Sequence, residues 1–139
     1  MLKWVGPKEF EPRRAYEGDA GFDLVVSVSV DIMPGQFFDV PAGVRVELPP
    51  GVWAMVTGRS STLRKRRLLV SQGIIDNGWR GELFTGVWNL GPERARVRRG
   101  ERIAQLIPFH QASLQMTARR VERLGDSDRG TAGFGSTGA

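Results

Sequence analysis

The sequence predicts an all-β fold: a sandwich or barrel of short strands, with one short helix and a flexible glycine-rich C-terminal arm. Three observations carry this reading. Apolar residues recur with period two in short runs, as they do on strands with one buried face. Turn signals rich in Gly and Pro ("MPGQ", "LPPG", "DNGW", "LGPE", "VRRG") separate the runs. From about Arg119 onward the apolar pattern thins out into glycine.

The first run, "FDLVVSVSVDI", alternates from Leu24 to Ile32 and reads as one strand. "GVRVELP" alternates through Val44, Val46 and Leu48 and reads as the next. "GVWAMVTG" is a mostly apolar run, and "GELFTGVWNL" and "RIAQLIPF" are two more strands. The helix candidate is "SSTLRKRRL": a serine N-cap precedes good helix formers, and Leu63, Arg67 and Leu68 fall at helical spacing.

The 139 residues, 40% hydrophobic and 25% charged, are those of one ordinary globular domain. Residues 1–139 are expected to form it, with 119–139 as the arm. No apolar run approaches the roughly 18–20 residues that span a bilayer, and the N-terminus has no apolar signal core. No membrane association is expected. Cysteine is absent, which excludes disulfides and cysteine-held zinc and is compatible with a reducing cytoplasm. A single histidine, His110, excludes multi-histidine metal sites and reads as structural or exposed. Trp4, Trp53 and Trp88 read as strand or interface packing. The net charge of +5 asks for an anionic partner. The densest basic cluster, "RKRR" at 64–67, has no interleaved aromatics and no nucleic-acid-binding motif beside it. It reads as the solvated face of the helix, and no nucleic-acid partner is expected.

Five segments hold candidate chemistry. In "DAGFDL" (19–24), Gly21 permits a turn and Asp23 opens an apolar strand. In "TGRSST" (57–62), a strand ends in glycine before Arg59, Ser60 and Ser61, an assembly that suits an anion. In "GIIDNGWRGEL" (73–83), Asp-Asn-Gly between apolar runs signals a hairpin with Asp76 and Trp79 on its tip. A carboxylate held there could orient a water and accept its proton. In "RRGERIAQLIPF" (98–109), Gln105 is a polar residue in an apolar run, which needs a partner or faces a ligand. In "RGTAGFGSTG" (129–138), four glycines accompany Arg129 and one aromatic, Phe134. That tail is either a linker or a lid with backbone amides for phosphates, one cation and one ring for a base.

Taken one at a time, each segment also has a plain structural explanation. In this order, from about Ala20 to Gly138, they resemble the five motifs of the homotrimeric deoxyuridine triphosphatase (dUTPase) family. The chain looks like a phage or actinobacterial member. The resemblance implies a β-jelly roll and a homotrimer with three active sites at the subunit interfaces, each completed by the glycine-rich arm of a neighbouring chain. It implies hydrolysis of dUTP to dUMP and pyrophosphate by water attack at the α-phosphorus, which limits uracil in DNA and supplies dUMP for thymidylate synthesis. By resemblance Asp76 activates the water, and Asp23 anchors Mg2+ through water. Arg59, Ser60, Ser61 and Gln105 contact phosphates, and Arg129 reaches the γ-phosphate. Phe134 stacks on uracil, and Gly135, Ser136 and Thr137 cradle the terminal phosphates. A hairpin from Val70 to Trp79, with Gly73 and Ile74, reads uracil through the main chain. The arm is implied to be ordered only over bound nucleotide.

Three positions depart from the family pattern. Trp79 stands where tyrosine usually packs under the deoxyribose. Val70 stands where many bacterial members have an asparagine that contacts uracil. Ser61 replaces a glycine. Two other readings share the fold: a dCTP deaminase relative, which would need a glutamate near Gly86, where there is none, and a regulatory protein that binds another protein. The intact Asp76 favours catalysis over the regulator.

Overall fold

The computed structural model describes residues 1–110 and 115–133. The strands are β1 (Lys3–Val5), β2 (Phe22–Val25), β3 (Val30–Ile32), β4 (Phe37–Glu47), β5 (Val52–Gly58), β6 (Leu68–Val70), β7 (Gly73–Ile75), β8 (Glu82–Asn89), β9 (Ala95–Val97) and β10 (Arg102–His110). The helix α1 covers Ser60–Arg66, and a 3-10 turn covers Lys8–Phe10. The strands form one four-stranded sheet in the order β1-β4-β8-β6, a second in the order β2-β10-β5-β7, and a two-stranded β3-β9 sheet. Their pairing is antiparallel throughout. Both large sheets point alternate side chains into one core: Val40, Val44, Leu83 and Val87 from the first, Leu24, Ala54, Val56 and Leu106 from the second. This is the all-β, jelly-roll-like architecture that the alternating runs predict.

Four local expectations are corrected. The run from Leu24 to Ile32 is two strands. β2 pairs with β10, but Val26 donates to Glu101 O at 2.9 Å and Ser27 to Pro41 O at 2.8 Å, and β3 then pairs with β9. The in–out alternation breaks here: Val26 and Val30 are buried but Val28, of the same parity, is exposed, while Ser27 Oγ bonds Pro41 O and the chain changes partner.

The helix has no serine cap: its N-cap is Arg59, in extended conformation, with no side-chain capping bond. Its buried face is Thr62, not leucine. Leu63 is exposed and Leu68 belongs to β6, where it is buried. A helix of two turns needs one inward anchor, and here that anchor is polar.

The Asp-Asn-Gly turn does not close a hairpin. Trp79 N donates to Asp76 O at 3.0 Å, so the four residues do turn. However, β7 pairs with β5 while β8 pairs with β4 and β6, so the turn carries the chain from one sheet to the other. Asn77 decides this locally: its Nδ2 donates to Pro49 O at 2.8 Å and Val52 O at 2.7 Å, pinning the turn to the start of β5. The segment from Val70 to Trp79 is likewise no hairpin, because β6 and β7 lie in different sheets.

The tryptophans pack as expected. Trp53 stacks on Phe109 with ring centroids 4.4 Å apart, Trp88 lies against Phe37 at 5.0 Å, and Trp4 packs against the core. His110 is exposed at the end of β10. No helix among the described residues is long and apolar enough to cross a membrane.

Candidate active site

The second sheet brings three of the five segments together. In its register Gln105 of β10 faces Asp23 of β2 on one side and Thr57 of β5 on the other. Residues opposite one another across antiparallel strands share a face. Asp23, Gln105 and Thr57 are therefore one polar rung on the face turned away from the core, while Leu24, Ala104 and Leu106 are buried. The period of two thus places a carboxylate and an amide side by side without breaking the core.

Arg59 follows β5 and closes over this rung. Its Nε lies 3.0 Å from Asp23 Oδ1, and its Nη1 donates to Arg102 O at 3.1 Å. Gln105 Nε2 donates to Gly58 O at 3.0 Å, so the amide fixes the backbone just before Arg59. Gly21 permits the approach: a Cβ there would lie 2.5 Å from Gln105 Oε1. Sequence reasoning explains Gly21 by a turn; its position is set by Gln105.

Two residues that sequence reasoning missed hold this cluster. Thr62 Oγ1 donates to Ile103 O at 2.7 Å, and the Arg59 amide reaches the same carbonyl at 3.4 Å. Ile103 sits at a bulge, where the β2–β10 register shifts between Arg102 and Ala104. Arg102 Nη1 donates to Asp23 O at 3.0 Å and Glu11 O at 3.4 Å, tying β2 from behind. Burial, then the nearby positive charge of Arg13, holds Arg102 below the usual guanidinium pKa. A threonine after two serines and an arginine at a strand start give no sequence signal of these roles.

Beside Arg59, residues 57–60 and 68–72 line an open hollow of about 520 Å3 with Arg59, Ser60 and Ser71 on its wall. Val70 is buried there, 3.4 Å from where a Cβ on Gly58 would stand, and serves the core rather than a ligand.

The third segment lies elsewhere on the same chain. Ile75 pairs with Ala54, five residues before Arg59. At about 3.3 Å per residue, Asp76 is therefore on the order of 16 Å or more from Arg59. Asp76 and Trp79 are exposed, and the Trp79 ring lies over Gly81, where any Cβ would collide with it. Gly73 faces Val56 and Ile74 faces Met55, with Ile74 exposed. Of the arm, Arg129 is exposed and its Nε donates to Ala132 O at 2.9 Å. Phe134, Gly135, Ser136 and Thr137 lie outside the described residues.

Among the described residues no three His, Asp, Glu or Cys side chains gather as a metal cage. The lone half-buried Asp23 fits Mg2+ nonetheless. This ion keeps several waters and is bound through one or two carboxylates plus substrate phosphates.

Comparison with known proteins agrees with this fold. The deoxyuridine 5'-triphosphate nucleotidohydrolase of Rhodococcus erythropolis is 40% identical over 140 residues, covering 99% of this chain and 84% of that one. A solved structure of Staphylococcus bacteriophage 80alpha dUTPase with dUpNHpp superposes with a TM-score of 0.87 at 27% identity, covering 100% of this chain and 99% of that one. The fold is shared with a dUTPase of phage phi11 of S. aureus, whose structure describes a structural Mg(II) ion: TM-score 0.78, 20% identity, 88% and 97% covered. Such relatives favour the hydrolase over the deaminase and regulator readings. The family model described as dUTPase matches residues 10–138. The chain thus belongs to the dUTPase family and is a dUTP diphosphatase, hydrolysing dUTP to dUMP.

Proposed function

We propose that this chain cleaves dUTP by attack of water on the α-phosphorus, in a homotrimer whose active sites are shared between subunits. The observation that carries the sharing is the separation just described. Asp76 and Arg59 belong to one reaction, yet β5 holds them at opposite ends of the same strand. Joining a base to a phosphate-binding cluster then requires a second chain, and the arm that begins near Arg119 brings a third element.

Each residue has a role in this reading. Asp76 orients the water and takes its proton, which a carboxylate does well when a rigid turn fixes it. Asn77 supplies that rigidity. Arg59, Ser60 and Ser61 bind phosphate oxygens, and Gln105 keeps the Gly58–Arg59 backbone aimed at them. Trp79 packs beneath the deoxyribose, and the backbone from Gly73 to Ile74 reads uracil. Arg129 binds the γ-phosphate, Phe134 stacks on the base, and Gly135, Ser136 and Thr137 offer amides to the terminal phosphates. Asp23 holds Mg2+ through water. The ion, when bound, neutralises charge on the triphosphate. Positioning and charge neutralisation are what phosphoanhydride hydrolysis mainly demands.

The test is to incubate the protein with each deoxynucleoside triphosphate and Mg2+ and to measure monophosphate and pyrophosphate. Only dUTP is expected to be consumed. In 18O-labelled water, label found in dUMP places the attack at the α-phosphorus; label in pyrophosphate rejects it. Sharing is tested by mixing Asp76→Asn chains with chains truncated before Arg129. Activity recovered in mixed oligomers supports it, and an active monomer by sedimentation rejects it.

A further inference from the structure

The basic run at 64–67 is not used by the chemistry above, and its surroundings give it a shape. Lys65, Arg66 and Arg67, at the end of α1, meet Arg94, from the turn between β8 and β9, around a second hollow of about 520 Å3. One carboxylate, Glu93, lies among its lining residues. Arg66 is already engaged, with Glu101 at 2.7 Å and Arg96 O at 2.8 Å, and so braces the wall. Arg94 is 3.9 Å from Asp31, which holds Arg96 more closely at 3.1 Å. Lys65 and Arg67 have no ion pair among the described residues.

Arg67 carries the argument. It is the one non-glycine among the described residues with positive φ, at 54°. It ends α1 in the left-handed region, where glycine or asparagine is usual and a Cβ is penalised. Its local bonds are made by the backbone: its amide donates to Leu63 O and its carbonyl accepts from Leu90 N. Glycine would make both. What arginine adds is a side chain laid along Gly91, since a Cβ on Gly91 would stand 3.4 Å from Arg67 Cβ and 3.6 Å from Cδ. The backbone strain thus accompanies a guanidinium placed at the hollow. Cations in the last turn of α1 also complement its terminal carbonyls, but that does not account for Arg94, which arrives from another element.

We propose that this hollow is a second anion site that takes a di- or triphosphate group. Several cations converge from two elements, which suits a group with several charges, and guanidinium forks match phosphate oxygens. No aromatic side chain lines the hollow, so charge rather than base stacking selects the ligand. The group can come from free pyrophosphate or from the tail of a nucleotide.

The test is a titration of the full-length protein with inorganic pyrophosphate, followed by amide NMR at Gly91 and Ala95, with ATP as a second arm. Both amides are expected to shift saturably, with half-saturation below about 1 mM. The affinity should weaken as salt rises from about 0.05 to about 0.2 M. Arg67→Gly and Arg94→Gln should each weaken this binding about tenfold. Arg67→Gly should also raise the melting temperature and leave kcat/KM for dUTP within about twofold. Arg59→Ala should leave the Gly91 shifts in place, which separates this site from the catalytic one. Equal affinity for the two ligands identifies a phosphate-chain site open to free pyrophosphate, and tighter ATP binding identifies a nucleotide tail. Amides that stay unmoved, or that shift equally in Arg67→Gly and Arg94→Gln, overturn the proposal.

Discussion

Arg59 Nε stands 3.0 Å from Asp23 Oδ1, and Gln105 lies on the same rung as Asp23. The Asp23 side chain is 17% exposed and that of Arg59 38%, so the pair is only partly screened by water. In the reading above these two groups serve opposite charges, Arg59 the phosphates and Asp23 the hydrated cation. In this structure they serve each other. On that reading, binding of nucleotide with its cation exchanges these partners, and neither charge is left bare before the substrate arrives. Asp23→Asn and Arg59→Gln, measured singly and together by denaturant unfolding, should show a coupling of about 0.5–1.5 kcal/mol. Strict additivity would mean that the contact contributes nothing to the fold. Asp23→Asn should also raise the Mg2+ concentration needed for half-maximal activity.

Asp76→Asn keeps the shape of the turn and removes the carboxylate proposed as the base. The Asp76 side chain is exposed and the turn is held by backbone and by Asn77, so little stability is at stake. Turnover should fall by about 10²–10⁴ with dUTP binding retained. Single-turnover kinetics with a parallel binding measurement check this, and near-normal turnover would remove Asp76 from the role.

The long strands β5, β8 and β10 and the second half of β4 were legible because one side of each sheet is buried, which writes period two into them; the short β1 and β9 and the first half of β4 were not. Nor was pairing. Ser27 and Ser29 look like any polar positions of an alternating strand, yet Ser27 bonds Pro41 O and Ser29 bonds the Arg99 amide, and there the chain changes sheets. Asn77 reads as turn chemistry, while its two bonds to Pro49 O and Val52 O are long-range and turn an apparent hairpin into a crossover. In the site, Asp23, Arg59 and Gln105 were visible as polar residues in unlikely places. Thr62 and Arg102 were not, because both act on backbone carbonyls, which have no sequence signature.

Thr62 should behave as a positioning residue for Arg59. Its hydroxyl is buried and bonded to Ile103 O at 2.7 Å, beside the Arg59 amide at 3.4 Å. Thr62→Val preserves volume and removes that bond, at a cost of about 1–3 kcal/mol. Because the N-terminal turn of α1 carries Arg59, KM for dUTP should rise more than kcat falls. Thr62→Ser restores the hydroxyl at the cost of a methyl group. It should recover KM while remaining somewhat less stable than the parent. If KM follows melting temperature across both variants, Thr62 is structural only.

The arm is expected to separate stability from catalysis. Residues 115–133 are exposed, and among the described residues their hydrogen bonds are local: Arg123 to Asp126, Arg129 to Ala132 O, Gly130 to Ser127 O. Removing residues 129–139 therefore takes away no core contact among the described residues, and the melting temperature should hardly move. Activity should respond very differently. Arg129 offers charge-assisted bonds worth about 1.5–3 kcal/mol, and a ring stacked on a base adds about 1–3 kcal/mol. Against these stands the entropy of fixing a glycine-rich backbone, about 1–2 kcal/mol per residue. The backbone amides must offset much of that, so glycine is useful here only if phosphates receive them. Truncation before Arg129 is expected to lower kcat/KM for dUTP by about a hundredfold or more, and Phe134→Ala by about tenfold. Steady-state kinetics beside a thermal melt decide it. A truncated protein that hydrolyses dUTP at the full-length rate makes the segment a linker.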